Sequence, residues 1–122
     1  MERDMDLIRH LLLFVANDPR FDGLSMLSPE IPSDFGVDHY SLDQVTYHIG
    51  LLIEAGFLKG AVGPVVPYVS RLTWQGHEFL DDIRDQTIWV KTKERIHGLS
   101  SVALSVVSEI AKAEIKKKLG LA

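Results

Sequence analysis

The stretch Leu52-Ile53-Glu54-Ala55-Gly56-Phe57-Leu58 constrains this chain more than any other. Leading into it, Leu42, Val45 and Ile49, with Leu52 and Ile53 of the stretch itself, recur at helical spacing, which places them on one face of a helix. Ser41 precedes that run as an N-cap, since its hydroxyl can accept from the free amides of a first turn. Gly56 follows it where a helix needs a left-handed C′ residue. Directly after the glycine, Phe57-Leu58-Lys59 and then Val65 to Leu72 read as two strands joined by Gly60-Ala61-Val62-Gly63-Pro64. A helix over residues 41–55 therefore turns straight into a hairpin. Pro67 has no backbone donor, so the second strand should lie at an edge or be interrupted there.

The remaining elements arrange themselves around this unit. Met5, Ile8, Leu11, Leu12 and Val15 predict a first helix over 5–16, with Asp4 as N-cap and Asn17-Asp18-Pro19 as stop. Pro19, Gly23, Pro29, Pro32 and Gly36 break every period across 19–38, leaving loop with at most a short strand near Leu24 to Leu27. Thr73 caps a helix whose inner face is Gly76, Phe79, Leu80 and Ile83, where the glycine is tolerable if a backbone approaches closely. Thr87 reads as the N-cap of a helix over Ile88 to His97 closed by Gly98. A last helix over about Ser101 to Leu119 has Val102, Val106, Ile110 and Ala113 as its main stripe. There is no internal repeat.

At 122 residues the chain is read as a single domain, with a core of about 3–86 and a C-terminal helical extension of about 87–122. No cysteine is present, which removes disulfides, thiol catalysis and thiolate-bound zinc together. The charged start Met1-Glu2-Arg3-Asp4 is unlike a secretory leader, and no apolar run approaches the ~20 residues of a membrane span. The expected location is the cytoplasm, away from membranes. Thirteen Lys and Arg stand against 17 Asp and Glu, a formal net charge of −4. Affinity for DNA comes largely from cations that neutralise phosphates, so this balance does not favour DNA as a partner.

The run VTYHIGLLIEAGFLKG (Val45–Gly60) resembles the helix and first wing strand of winged-helix proteins. The fold class expected is therefore mainly α with a small β-hairpin, a winged-helix-like domain with additional C-terminal helices. A helix-turn-helix has a positioning helix just before its recognition helix. Here the proline-rich stretch Pro29 to Gly36 holds that place, so the motif is reduced. A second resemblance spans nearly the whole chain. RDMDLIRHLL (Arg3–Leu12), YHIGLLIEAGF (Tyr47–Phe57), RLTWQGHEFLDDIRD (Arg71–Asp85) and WVKTKE (Trp89–Glu94) are similar to domain-of-unknown-function family 2513. That resemblance implies a bacterial or prophage context and carries over no activity and no functional residue.

With Val45, Ile49 and Leu52 inward, the helix over 41–55 turns Asp43, Gln44, Tyr47, Leu51 and Glu54 outward. Gln44, Tyr47 and Leu51 are the candidate partner contacts, Tyr47 and Leu51 forming a small apolar patch one turn apart. For nucleic acid the candidates are Gln44, Tyr47, Lys59 and the tail lysines Lys116, Lys117 and Lys118. Lysines in a last helical turn also complement the helix dipole without any ligand. His10, His39, His48, His77 and His97 make no metal spacing, and His48 and His77 are expected at the core boundary with one ring nitrogen bonded. Asp81, Asp82 and Asp85 read as a solvated face, and Trp74 and Trp89 as core residues. No catalytic, metal or cofactor motif is present.

Two functions fit these residues. The first is a non-enzymatic interaction module that binds protein, including a second copy of itself. The alternative is a prophage-type DNA-binding transcriptional regulator.

Overall fold

A computed structural model describes residues 1–99 and 102–121. In chain order it contains α1 (Met5–Asn17), a 3₁₀ turn (Pro32–Phe35), α2 (Leu42–Glu54), β1 (Leu58–Val62), β2 (Pro67–Leu72), α3 (Trp74–Ile83), α4 (Gln86–Ile96) and α5 (Leu104–Lys118). The chain is thus mainly helical with one small antiparallel hairpin, as expected. It forms two compact units, Met1–Glu78 and Phe79–Ala122, with the division inside α3.

In the first unit α1 begins at Asp4, whose carboxylate accepts from the Leu7 N–H at 2.9 Å. Leu7, Ile8, Leu11 and Leu12 are almost wholly buried, each such burial contributing about 2 kcal/mol. Residues 19–38 are irregular yet held in place. Phe14, Phe21 and Phe35 form an aromatic cluster with ring centroids 5.5–6.0 Å apart. Asp34 accepts from the Glu30 and Ile31 N–H groups, and those two amides hold its carboxyl below the ordinary range. The strand expected near Leu24 to Leu27 shrinks to a single bridge, Leu27 to Val69, because proline and glycine on either side allow no longer ladder.

Ser41 caps α2 through a reciprocal box. Its hydroxyl accepts from the Gln44 N–H at 3.1 Å, and the Gln44 side chain accepts from the Ser41 N–H at 2.9 Å. Gly56 closes the helix at φ 82°, the left-handed position read from the sequence. The turn lies further along the chain than the expected 60–64, so β1 runs on to Val62 while β2 starts at Pro67 and not at Val65. Gly60, Ala61 and Val62, expected to be connection, pair with Val69, Tyr68 and Pro67. A bulge between Lys59 and Gly60 accommodates the glycine, leaving residues 63–66 as the turn. Pro67 stands at the first position of β2, where a missing donor costs least.

Thr73 caps α3 as expected, accepting from the Gly76 N–H at 3.0 Å while its hydroxyl donates to the Gly56 carbonyl. A Cβ at Gly76 would lie 2.1 Å from the Phe57 carbonyl oxygen. The close backbone approach that would justify a glycine in this stripe is therefore present.

In the second unit α4 is capped by Asp85 and not by Thr87. The Asp85 carboxylate accepts from the Ile88 N–H at 3.0 Å, and that bond holds its pKa below the ordinary value. A carboxylate complements both the free amides and the helix dipole, so it starts the helix two residues before the threonine. The α5 stripe also differs from expectation. Val107, Ala111 and Glu114 are buried, whereas Val106 is 45% exposed and Ile110 and Ala113 are half-buried. The two faces of α5 are almost equally apolar, so periodicity could not separate them. Ser101, the expected first residue of that helix, lies outside the described residues, and Val102 is not helical.

Candidate functional site

The outward face of α2 is the first surface to weigh, because the helix is fixed at both ends and by its inner face. Val45, Ile49 and Leu52 are buried as expected, and His48 joins them at 1% exposure. His48 was expected at the boundary with one bonded nitrogen. Instead both ring nitrogens are used. Nε2 accepts from the Asp4 N–H at 2.8 Å, so Nδ1 carries the proton and donates to the Gln44 carbonyl at 2.7 Å. The imidazole thereby ties the first residue of α1's cap to α2. Nearby, burial and the Asp4 carboxylate push the Tyr40 phenol up to about 12.

Gln44, Tyr47 and Leu51 fall on one side of α2. Gln44 is half-buried with its side-chain oxygen committed to the Ser41 cap, which leaves its NH₂ group for any partner. Tyr47 is 40% exposed and packs edge-on against His48 at 5.7 Å between centroids. Leu51 is half-buried, and Asp43 and Glu54 on the same side are exposed. The face carries two carboxylates and no cation.

The candidate nucleic-acid contacts are distributed otherwise. Lys59 is exposed on β1. In the second unit Lys117 pairs with Glu114 at 3.7 Å and Lys118 with Asp85 at 3.4 Å, while Lys116 is exposed. Two of the three tail lysines therefore face carboxylates of their own unit. Asp82 and Asp85, read as solvated, act as acceptors there, Asp82 from the Ser108 hydroxyl. Asp81 is exposed as expected.

The two tryptophans part company. Trp89 is buried at 2% exposure, as expected, and Lys93 lies over its ring at 5.8 Å. Trp74 is 75% exposed and is not a core residue. Its position explains this. It stands two residues before Gly76 in α3, about 200° around the helix from the buried stripe, so the sequence held the signal. His77, one residue past Gly76, is likewise exposed and not at the core boundary.

Among the described residues no group of three His, Asp or Glu side chains is placed to hold a metal ion. No helix among them is long and apolar enough to cross a membrane.

Comparison with known proteins adds kinship. Residues 2–103 match the model of the family described as "Hypothetical protein (DUF2513)". A protein of Haemophilus influenzae described as "Uncharacterized protein" is 32% identical over 124 residues, covering 98% of this chain and 99% of that protein. No solved structure matches. With the matched segment spanning most of its length, the chain belongs to the DUF2513 family.

Proposed function

We propose that Met1–Glu78 is a reduced winged-helix unit serving as a non-enzymatic protein-interaction module of the cytoplasm, self-association included. The element order supports the winged-helix reading. A helix, a bridging segment at Leu27, a 3₁₀ turn in place of a positioning helix, a second helix and a hairpin follow one another.

One observation carries the choice of protein over DNA. The face of α2 that a winged helix would offer to a groove displays Asp43 and Glu54 beside Tyr47 and Leu51, with no cation. Carboxylates there repel phosphates, while an aromatic beside a leucine suits a protein surface. The prophage-type transcriptional regulator is the second reading, favoured by Lys59 on the hairpin and by Lys116 in the tail.

Light scattering over a concentration series, paired with a salt titration against mixed duplex DNA, tests the choice. The expected result is a concentration-dependent oligomer that Tyr47→Glu weakens, with no DNA binding even at low salt. A strict monomer that binds DNA at low salt and releases it as salt rises would overturn the reading.

A further inference from the structure

The first unit is acidic, yet its uncompensated cations are gathered at one place. Of its five Lys and Arg residues, Arg20 pairs with Asp18 at 2.8 Å, Arg9 is buried and Arg3 is not without a partner. Lys59 and Arg71 have no ion pair among the described residues, and the hairpin register sets them directly opposite each other. Both are exposed, so they share a face of the sheet. Like charges directly opposite on a sheet repel.

Arg71 also lines a depression of about 330 Å³ together with Trp74, His77, Phe21 and Asp22. Its stem rests where a side chain at Gly23 would meet it at 3.1 Å, and one guanidinium nitrogen donates to the Leu72 carbonyl at 2.9 Å. The rest of the guanidinium remains free to bind. The His77 ring has no hydrogen bond to a described residue, and Trp74 presents most of its indole. Asp22 stands on the rim and accepts from the Leu24 N–H at 2.8 Å.

We infer that this depression is a docking site for a partner peptide in which a single carboxylate adjoins a large apolar side chain. Charge complementarity selects the occupant. Arg71, with Lys59 beside it, offers a fork to a carboxylate, and the Trp74 face takes an aromatic or aliphatic group. Asp22 disfavours a second carboxylate in the same cavity, so an unbroken acidic run fits poorly. The cavity lies at the small end of ligand-site volumes and suits one large side chain. The inference rests on the protein-interaction reading but uses a different surface from the α2 face.

The test is an NMR titration of the full isotope-labelled chain with N-acetyl-phenylalanine, which joins one carboxylate to one ring. N-acetyl-phenylalaninamide, acetate and uridine monophosphate serve as comparison probes. Saturable shifts at the Trp74 indole N–H, Arg71 and His77 are expected in the millimolar range, with the amide and acetate each at least about tenfold weaker. Arg71→Gln and Trp74→Ala should each weaken N-acetyl-phenylalanine about tenfold while leaving the remaining spectrum unchanged. No saturable shift, or shifts indifferent to both substitutions, would overturn the inference. So would tighter binding of the nucleotide, which would assign the site to nucleic acid. Self-association is read from Tyr47→Glu and this site from Arg71→Gln, so either can fail alone.

Discussion

Residues 1–78 carry five Lys and Arg against eleven Asp and Glu, whereas residues 79–122 carry eight against six. By charge count the second unit, at +2, is where an anion should bind, and the first, at −6, is where it should not. The side-chain pairing removes most of that difference, leaving Lys91 and Lys116 exposed without an ion pair among the described residues of the second unit. In the second unit Arg95 and Lys117 share Glu114, Lys112 pairs with Glu109, Lys118 pairs with Asp85, and Lys93 covers Trp89. In the first, Lys59 and Arg71 face each other with no ion pair to either among the described residues. Net charge sets the field at long range, but a binding site needs cations that the fold has not already neutralised.

The packing differs in the same sense. The first unit is tightened by close backbone approaches, the second by polar pairs around a buried Glu. Gly76→Ala should therefore have the largest effect, about 3 kcal/mol, because its Cβ would meet the Phe57 carbonyl and α3 would have to move off the strand. Gly98→Ala, at φ 90° with open space around it, should cost only about 1 kcal/mol. Chemical denaturation of the two variants measures the contrast, and equal losses would break it.

His48→Ala should come next, at about 2–3 kcal/mol. It opens a cavity in the core and leaves the Asp4 N–H without its acceptor. Amide exchange at the start of α1 should speed up in this variant before the rest of the first unit responds. Glu114→Gln is the matching test in the second unit. Glu114 is 7% exposed and accepts from Arg95 at 3.3 Å, so losing its charge should cost about 1 kcal/mol and raise exchange in α4 and α5 alone.

The smallest effects are those of pH, and they differ in sign. Asp85 has a folded pKa below its unfolded value of about 3.9, so its contribution is present above that pH and is lost as pH falls through the folded value. Asp85→Asn should flatten the acid side of a thermal-stability profile. Tyr40 has a folded pKa raised to about 12. Its contribution is whole below the unfolded value of about 10 and is lost as pH rises through the folded one. Tyr40→Phe should flatten the alkaline side, and tyrosinate absorbance should show one late-titrating tyrosine.

Much of the fold was legible because single residues decide it locally. Asp4, Ser41 and Thr73 cap the helices they precede, and Gly56 ends α2 where a left-handed residue is required. Thr87 misled because two cap-forming side chains lie within three residues, and charge decided for Asp85. The α5 stripe misled because Val106 and Val107 are adjacent and equally apolar, so only a neighbour could choose between them. Of the candidate site, the side of α2 that carries Gln44, Tyr47 and Leu51 follows from the inward set by subtraction, but the half-burial of Gln44 and Leu51 does not.

By itself, then, the sequence determined the order of the helices, the corner at Gly56 and the side of α2 that carries Gln44, Tyr47 and Leu51, because these depend on neighbours three or four residues away. Tertiary structure alone decided the strand register that sets Lys59 against Arg71 across the hairpin, and the burial of His48 against the N–H of Asp4. It also decided which lysines are spent on carboxylates. Each of these joins residues separated along the chain by more than any local period, and the pairing energy is settled only when the elements meet.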